Sequence, residues 1–179
     1  MSSGKCFLMD TNSFVEPSRL YYQFTMFPQY WEFVKERIED GSIVILDKVK
    51  AEIMAPTKKD DLAIWLESIE IKTLVEHKKQ EVVDKYAQVM QSIQDDSCYK
   101  ESAITEWSKN NVADPWLIAA ASAYGYSIVT FETYNKTVNS TFPSKEASIP
   151  NIAEKFNVPV LNLYSMMKEL GFQKWVIAH

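Results

Sequence analysis

Four acidic residues occupy positions where a parallel α/β sheet would present functional groups: Asp10, Glu52, Asp114 and Glu132. Asp10 ends a short apolar run, and Glu132 lies two residues beyond Thr130, at the end of a later apolar run. Glu52 lies about one turn into a helix that follows a second predicted strand. Asp114 begins the helix that precedes the apolar run ending at Thr130. Open α/β sheets bind their ligands beyond the carboxyl ends of the strands. We therefore expect one edge of the sheet to bring the four carboxylates together.

Clustered carboxylates indicate a particular chemistry. Hard divalent cations prefer oxygen ligands, and Mg²⁺ commonly keeps several waters while few carboxylates hold it. A bound metal ion lowers the pKa of one such water and neutralises the charge that develops on a phosphodiester under attack. Without a cation the carboxylates repel one another, and at least one pKa rises. The four acids therefore predict a site for Mg²⁺ or Mn²⁺, and attack on a phosphodiester is one reaction that such a site can support.

Each of the four acids also has a simpler interpretation. Asp is a favoured N-cap, so Asp114 before Pro115 is typical of an ordinary helix start. Asp10 in Asp-Thr-Asn is typical of a turn or cap after a strand. Glu52 and Glu132 are compatible with exposed helix and loop positions. No single residue is diagnostic, and the hypothesis depends on their joint order.

Strands and helices alternate along the chain. Strands are predicted at 6–9, 42–46, 126–130 and 158–161, with a further short one at 72–75. Helices are predicted at 30–38, 48–54, 62–69, 80–94, 101–108, 115–124, 152–156 and 163–170, and a helix-like segment opens at Pro17 and breaks at Pro28. Asp47 and either Asp60 or Asp61 are N-cap candidates, and Gly125 is expected to end a helix. Hairpin signals between strands are missing, which predicts a three-layer α/β/α sandwich with a mostly parallel central sheet.

Length and charge limit the class of protein. The 179 residues, 46% of them hydrophobic, suffice for one packed domain over residues 1–179. The net charge of −5 and the pI near 5.1 argue against a protein that coats nucleic acid electrostatically. An acidic protein that holds an acidic substrate needs cations over its carboxylates, helped by a few lysines.

Other kinds of site find little support in the sequence. Cys6 and Cys98 lack metal-ligand spacing, and His77 and His179 are too few and too scattered for a zinc site or a catalytic triad. The four glycines are spread too widely to form a phosphate-binding loop. No apolar run of about 18 residues exists, so we expect no membrane span and a cytoplasmic protein.

The four acids and their flanking residues resemble the PIN-domain nucleases. The matching segments are Phe-Leu-Met-Asp10-Thr-Asn-Ser-Phe, Val49-Lys-Ala-Glu52-Ile, Ala113-Asp114-Pro-Trp-Leu-Ile-Ala-Ala-Ala and Ile128-Val-Thr130-Phe-Glu132. The sequence looks most similar to a PIN-like branch related to the VapC-type toxins. The similarity covers most of the chain, with 80–107 matching least.

This resemblance implies a single PIN-like domain that acts as a Mg²⁺- or Mn²⁺-dependent endoribonuclease. Asp10, Glu52 and Asp114 match the three core acids of the family. Thr130 and Glu132 match its Thr-x-Asp element, here with glutamate in place of aspartate. A polar position near the site is matched by Asn12. Toxins of this type are similar in forming homodimers and in being silenced by a cognate antitoxin, so RNA, an antitoxin and a second copy are the expected partners.

Two groups of side chains are candidates for contact with RNA. The lysines that flank the Glu52 helix are Lys48, Lys50, Lys58 and Lys59. Aromatic residues able to stack on unpaired bases are Tyr21, Tyr22, Tyr30 and Trp31. Ordinary solvated lysines and a buried or partner-facing aromatic helix explain the two groups at least as well.

Other functions on the same architecture are weighed against this one. One alternative is a catalytically silent PIN-like module that acts through protein contacts. It is suggested by Glu132, a glutamate where the family has aspartate. A metal-dependent DNA or flap nuclease would use the same chemistry, but the modest length and the absence of a basic DNA-binding module argue against it. Haloacid-dehalogenase-type phosphatases need a second aspartate where Asn12 stands. The paired acids and late lysine of a response-regulator receiver have no convincing match.

Overall fold

The computed structural model of the protein describes residues 5–55 and 60–178. Lys58, Lys59 and His179, which the sequence singles out, lie outside these ranges. The described residues form a central sheet flanked by helices.

The sheet has five parallel strands in the order β3-β2-β1-β4-β5. The strands are β1 Phe7–Met9, β2 Ile43–Leu46, β3 Leu74–Val75, β4 Ser127–Val129 and β5 Val160–Leu161. Phe7 pairs with both Ile43 and Ser127, so β1 lies between β2 and β4. β1, β2 and β4 are buried along their whole length, as expected for strands that are covered on both faces. The predicted α/β/α sandwich is confirmed, with a sheet that is parallel throughout.

Helices connect the strands and cover the sheet. Those in the described ranges are α1 Asn12–Glu16, α2 Pro28–Asp40, α3 Asp47–Met54, α4 Asp61–Glu67, α5 Gln80–Gln94, α6 Glu101–Trp107, α7 Asp114–Tyr124, α8 Ile149–Lys155, α9 Leu163–Glu169 and α10 Phe172–Ala178. A π-helical turn, Pro17–Tyr21, follows α1. None of the helices in the described part of the chain is long and apolar enough to cross a membrane.

Several helix ends follow from local sequence. α2 ends at Gly41 with φ 88° and α7 ends at Gly125 with φ 72°. Glycine adopts this left-handed conformation without the steric cost that a Cβ atom brings. The Asp60 side chain accepts a hydrogen bond from Ala63 N at 3.0 Å and caps α4. The predictions for Gly125 and Asp60 are therefore confirmed.

Three helix starts differ from the sequence prediction. α1 begins at Asn12, directly after β1 and earlier than expected. The N-cap positions of α3 and α7 are held by Leu46 and Ala113. Asp47 and Asp114 lie in the first turns instead, so their assignment as N-caps is wrong. Their carboxylates are consequently available for contacts outside their own helices.

The longest helix, α5, packs along α7. Val82, Val89 and Ile93 are its buried residues. Tyr86 stacks on Trp116 of α7, with ring centroids 3.7 Å apart and planes 12° from parallel. The helical spacing of apolar residues in α5 is thus explained by core packing. This pairing fixes α7, and with it Asp114, against the rest of the fold.

Candidate functional site

Asp10 stands at the carboxyl end of the central strand. It follows β1, and only 3% of it is exposed. Its backbone N–H donates to Val129 O at 2.9 Å, and Thr130 Oγ1 donates to Asp10 Oδ2 at 3.0 Å. The buried Ser13 hydroxyl donates to the same Val129 oxygen at 2.9 Å. The start of α1 is therefore held against the end of β4, and the Asp10 carboxylate has a fixed position.

Burial raises the pKa of Asp10 to about 6. The hydrogen bond from Thr130 opposes this rise, whereas the negative charges of Glu132 and Glu52 add to it. Desolvation and like charges both disfavour an ionised carboxylate. Glu132 and Glu52 are thus close enough to Asp10 for their charges to be felt.

Glu52 lies on α3, the helix that follows β2. The Thr11 hydroxyl donates to Glu52 Oε2, and Ala113 N donates to Glu52 Oε1 at 3.0 Å. Thr11 adjoins Asp10 in the chain, and Ala113 adjoins Asp114. Through these two contacts Glu52 connects the two aspartates that the sequence places 104 positions apart.

Asp114 has the most perturbed carboxylate of the group. Its pKa is raised to about 8, first by burial and then by the charges of Asp10, Glu132 and Glu52. Its own backbone N–H lowers the pKa without offsetting these effects. The structure therefore brings all four predicted acids into one electrostatic neighbourhood.

Glu132 follows β4 and is held from two directions. Its backbone N–H donates to Thr130 Oγ1 at 3.1 Å, and its Oε2 accepts from Ile149 N at 2.8 Å. Burial raises the pKa of Glu132, while the hydrogen bond from Ile149 lowers it. Thr130 thus links Asp10 to Glu132, as expected for two residues of one site.

The donor set has the chemistry that a hard divalent cation requires, because it consists of carboxylates whose mutual repulsion a cation would relieve. Among the described residues, however, no three His, Cys, Asp or Glu side chains are arranged so that they could hold a metal ion as they stand. Glu52 and Glu132 are bound to protein donors instead. Each carboxylate oxygen retains a second lone pair for a metal ion.

Asn12, which the sequence also singled out, is an exposed residue at the start of α1. Its neighbours Thr11 and Ser13 make the hydrogen bonds that the sequence-based interpretation missed. Hydroxyl residues next to a strand-end acid were visible in Asp10-Thr-Asn-Ser, but their partners were not. Asn12 therefore remains a predicted neighbour of the site, whereas Thr11 is a direct partner of Glu52.

A cleft of about 750 Å³ opens on the Glu132 side of the site, at the ends of β4 and β5. Its lining includes the aromatic residues Phe131, Tyr134 and Tyr164. Tyr21 stacks on Phe131, with ring centroids 6.0 Å apart, and is 46% exposed. Of the aromatic residues proposed for base stacking, Tyr21 is thus placed beside this cleft.

Tyr30 and Trp31 cannot stack on bases. They are 1% and 2% exposed, so their assignment to RNA contact is wrong. The alternative interpretation, in which they are buried residues of a helix, is correct. The reason is local packing: Tyr22 stacks on Tyr30 with ring centroids 4.2 Å apart, and Phe24 stacks on Trp31 at 4.1 Å.

A second cavity, of about 510 Å³, lies on the other side of the site and includes Lys48 and Glu52 in its lining. The carboxylate site is therefore flanked by two openings, one at the β4–β5 half of the sheet and one at the β2–β3 half.

No curated protein matches the chain significantly. A family model described as a domain of unknown function, DUF4411, matches residues 7–174. The match covers nearly the whole sequence, and the chain belongs to this DUF4411 family.

Proposed function

We propose that the chain is a Mg²⁺- or Mn²⁺-dependent endoribonuclease of PIN-like type. The observation that carries the proposal is the shared electrostatic site of four carboxylates, in which three neighbours raise the pKa of Asp114. Such an arrangement is costly to maintain in a folded protein unless a cation binds there. The order of the acids matches the PIN-domain resemblance.

Asp10, Asp114, Glu52 and Glu132 are the residues that would hold the metal ion. When bound, a divalent cation supplies an activated water and neutralises charge on the phosphodiester. The protein itself orients the carboxylates. Thr130 orients Asp10 and Glu132, and Thr11 orients Glu52. Because these contacts join residues of several elements, they hold together the segments that carry the carboxylates, and the side chains would still have to turn toward a bound cation.

RNA with unpaired bases is the substrate class that the surroundings of the site favour. The cleft beside Glu132 presents Phe131, Tyr134 and Tyr164, and aromatic rings stack on bases that are not paired. Lys48 on the opposite side offers a positive charge for phosphate. The aromatic rings and Lys48 would attract RNA locally, although the protein as a whole carries a net negative charge.

The proposal extends, through the resemblance to VapC-type toxins, to a cytoplasmic toxin that forms a homodimer and is silenced by an antitoxin. Exposed apolar side chains between α1 and α2 are compatible with a covering partner; they are Leu20, Met26 and Phe27. Induced expression with and without the neighbouring gene tests this part. Growth arrest that the neighbouring gene relieves is the expected result, and unimpaired growth in both cases would contradict it.

A catalytically silent module is the second candidate. It is favoured by the hydrogen bonds that hold Glu52 and Glu132, and by the lack of a ready metal group among the described residues. Under this alternative the protein acts through protein contacts, and neither Mn²⁺ nor RNA binds at the four acids.

A cleavage assay separates these functions. The purified protein is incubated with structured RNAs and with branched and single-stranded DNA, in Mg²⁺, Mn²⁺ or EDTA. We expect metal-dependent cleavage of RNA that Asp10→Asn and Asp114→Asn reduce by about 10²-fold or more. Asp84→Asn, which makes the same change at an exposed position of α5, is the matched control.

Three results would overturn the proposal. Equal cleavage by wild type and both site variants would show that a contaminating enzyme acts. Preference for branched DNA would identify a DNA nuclease. No cleavage together with no Mn²⁺ binding, measured by electron paramagnetic resonance, would support the silent module.

A further inference from the structure

The cavity beside Glu52 has the size of a small-ligand site. Its volume is about 510 Å³, within the range of roughly 300–1,000 Å³ that is typical of such sites. Its lining residues are Asp47, Lys48, Ala51, Glu52, Ala55, His77, Asn110 and Asn111. Because Glu52 belongs to both, the cavity directly adjoins the carboxylate site.

The two acids in the lining are already bound by protein donors. Asp47 Oδ1 accepts from His77 N at 3.2 Å, and its Oδ2 lies 2.6 Å from His77 Nδ1. Glu52 accepts from Thr11 and from Ala113 N. Their negative charges are therefore partly satisfied inside the protein, which reduces their repulsion of an anionic ligand.

Lys48 contributes a cation whose partners are neutral. Its Nζ donates to Asn110 O at 2.6 Å and to Asn110 Oδ1 at 3.0 Å. It also lies 5.6 Å from the centroid of the Trp116 ring. These contacts position the ammonium group without cancelling its charge. A phosphate at the cavity would find a positive charge that is held in place.

His77 adds a polar group with a fixed orientation. Since a carboxylate only accepts hydrogen bonds, Nδ1 is the donor to Asp47, and Nε2 remains for a ligand. The ring also packs edge-on against Trp116, with centroids 5.0 Å apart, and Trp116 is itself stacked on Tyr86. The Asn111 amide, which offers both donors and acceptors, lines the same cavity. Fixed groups of this kind suit recognition of a base edge or a ribose hydroxyl.

We propose that this cavity is a nucleotide subsite, with a phosphate bound at Lys48 and the base or ribose bound against His77 and Asn111. The inference rests on the proposed nuclease function, because it makes the occupant the nucleotide next to the cleaved phosphodiester. It assigns Lys48, His77 and Asn111 to substrate positioning rather than to the chemical step.

Direct binding of nucleotides tests the subsite without cleavage. The 5′-monophosphates of adenosine, guanosine, cytidine and uridine are titrated into the full-length ¹⁵N-labelled protein in EDTA, with inorganic phosphate in a separate arm. In the NMR spectra we expect saturable changes in the amide chemical shifts of the cavity residues for at least one nucleotide. Lys48→Gln should weaken this binding about tenfold, and Lys48→Arg, which keeps the charge, should restore most of it. Lys85→Gln on α5 is the matched control and should bind as wild type does.

Cleavage kinetics supply the second measurement. Lys48→Gln and His77→Asn should raise KM about tenfold while kcat stays within about twofold of wild type, as expected for loss of uniform binding. His77→Asn places its amide nitrogen near the position of Nδ1, so it retains a donor for Asp47 and loses the ligand-facing Nε2. Its fold is therefore expected to survive, and a thermal melt checks this.

The outcomes distinguish the two proposals. Nucleotide binding at the cavity without cleavage in any metal would overturn the nuclease function and leave the subsite. Cleavage with an unchanged KM in both variants, and no nucleotide shifts at the cavity, would overturn the subsite and leave the nuclease. If inorganic phosphate changes the chemical shifts of the cavity residues and the nucleotides cause no further changes, the cavity binds anions only. That result would contradict the assignment of His77 and Asn111.

Discussion

Thr130 and Asp10 lie 120 positions apart in the chain, yet the Thr130 hydroxyl donates a hydrogen bond to Asp10 Oδ2 at 3.0 Å. Both residues are buried, with 1% and 3% of their surface exposed. The same hydroxyl oxygen accepts from Glu132 N at 3.1 Å. One hydroxyl thus orients Asp10 directly and fixes the backbone that carries Glu132.

Loss of this hydroxyl should destabilise the protein. Thr130→Val keeps the shape of the side chain but leaves a buried Asp10 oxygen without its donor. We expect a free energy of unfolding about 1–3 kcal/mol lower at pH 7, and a pKa of Asp10 that rises further. Thr105→Val is the matched control, because that hydroxyl bonds an exposed helix carbonyl, Glu101 O, at 3.0 Å. Urea denaturation measures both variants, and equal losses would contradict the role of Thr130.

The carboxylate site should make the metal-free protein less stable as the pH rises. The pKa of Asp114 is about 8 in the folded protein, whereas an unperturbed Asp titrates near 3.8. Between these values the folded state binds a proton that the unfolded state has released, so this group's contribution to stability falls with increasing pH and levels off above about 8. Asp10, with a pKa of about 6, contributes with the same sign over the lower part of the range.

Asp114→Asn removes this pH dependence. Relative to wild type in EDTA, the variant should gain stability steadily from pH 5 to pH 8, reaching roughly 3–4 kcal/mol. The difference between the two proteins is the quantity to measure, because carboxylates far from Asp114 affect both proteins equally. Asp84→Asn, at an exposed position, should show a difference that stays near zero. A difference for Asp114→Asn that does not grow with pH would contradict the raised pKa.

Divalent cations should reverse the destabilisation. At a Mn²⁺ concentration of about 100 times Kd, binding adds about 2.7 kcal/mol, or roughly 5–10 °C in Tm for a chain of this size. Asp10→Asn and Asp114→Asn should abolish the shift, and Asp84→Asn should keep it. Thermal scans with Mn²⁺ and then with excess EDTA provide the measurement. Identical shifts in all four proteins would place the cation elsewhere.

Asn151 should control the long loop between β4 and α8. Its side chain accepts from Asn135 N and Ser148 Oγ, both at 2.8 Å, and donates to Asn135 O at 2.9 Å. Asn151→Ala removes all three hydrogen bonds and should expose the loop to trypsin at Lys136 or Lys145. Ser140→Ala, at an exposed position of the same loop, is the control. Limited digestion followed by mass spectrometry measures the cleavage rate, and equal rates for both variants would contradict this role.

The regular elements were largely predictable from sequence. The apolar run of β2 and the helix Gln80–Gln94 were found because hydrophobic periodicity and β-branched composition act within a few residues. Gly125 marked the end of α7 for an equally local reason, its left-handed backbone. The start of α1 and the helix α10 were missed, since each follows a residue, Asp10 or Gly171, that by itself is typical of a turn or a helix end.

By itself, the sequence determined which acids are candidates for the site: Asp10, Glu52, Asp114 and Glu132. Each of them lies just after a predicted strand or on a helix that adjoins one. Only the tertiary structure decided that their charges meet, since the strand order β2-β1-β4 brings together segments that are far apart in the chain. The contacts of Glu52 with Thr11 and Ala113 span 41 and 61 positions. Local patterns carry no information over such separations, whereas burial and like charge, which set the pKa of Asp114, depend on every segment that packs around it.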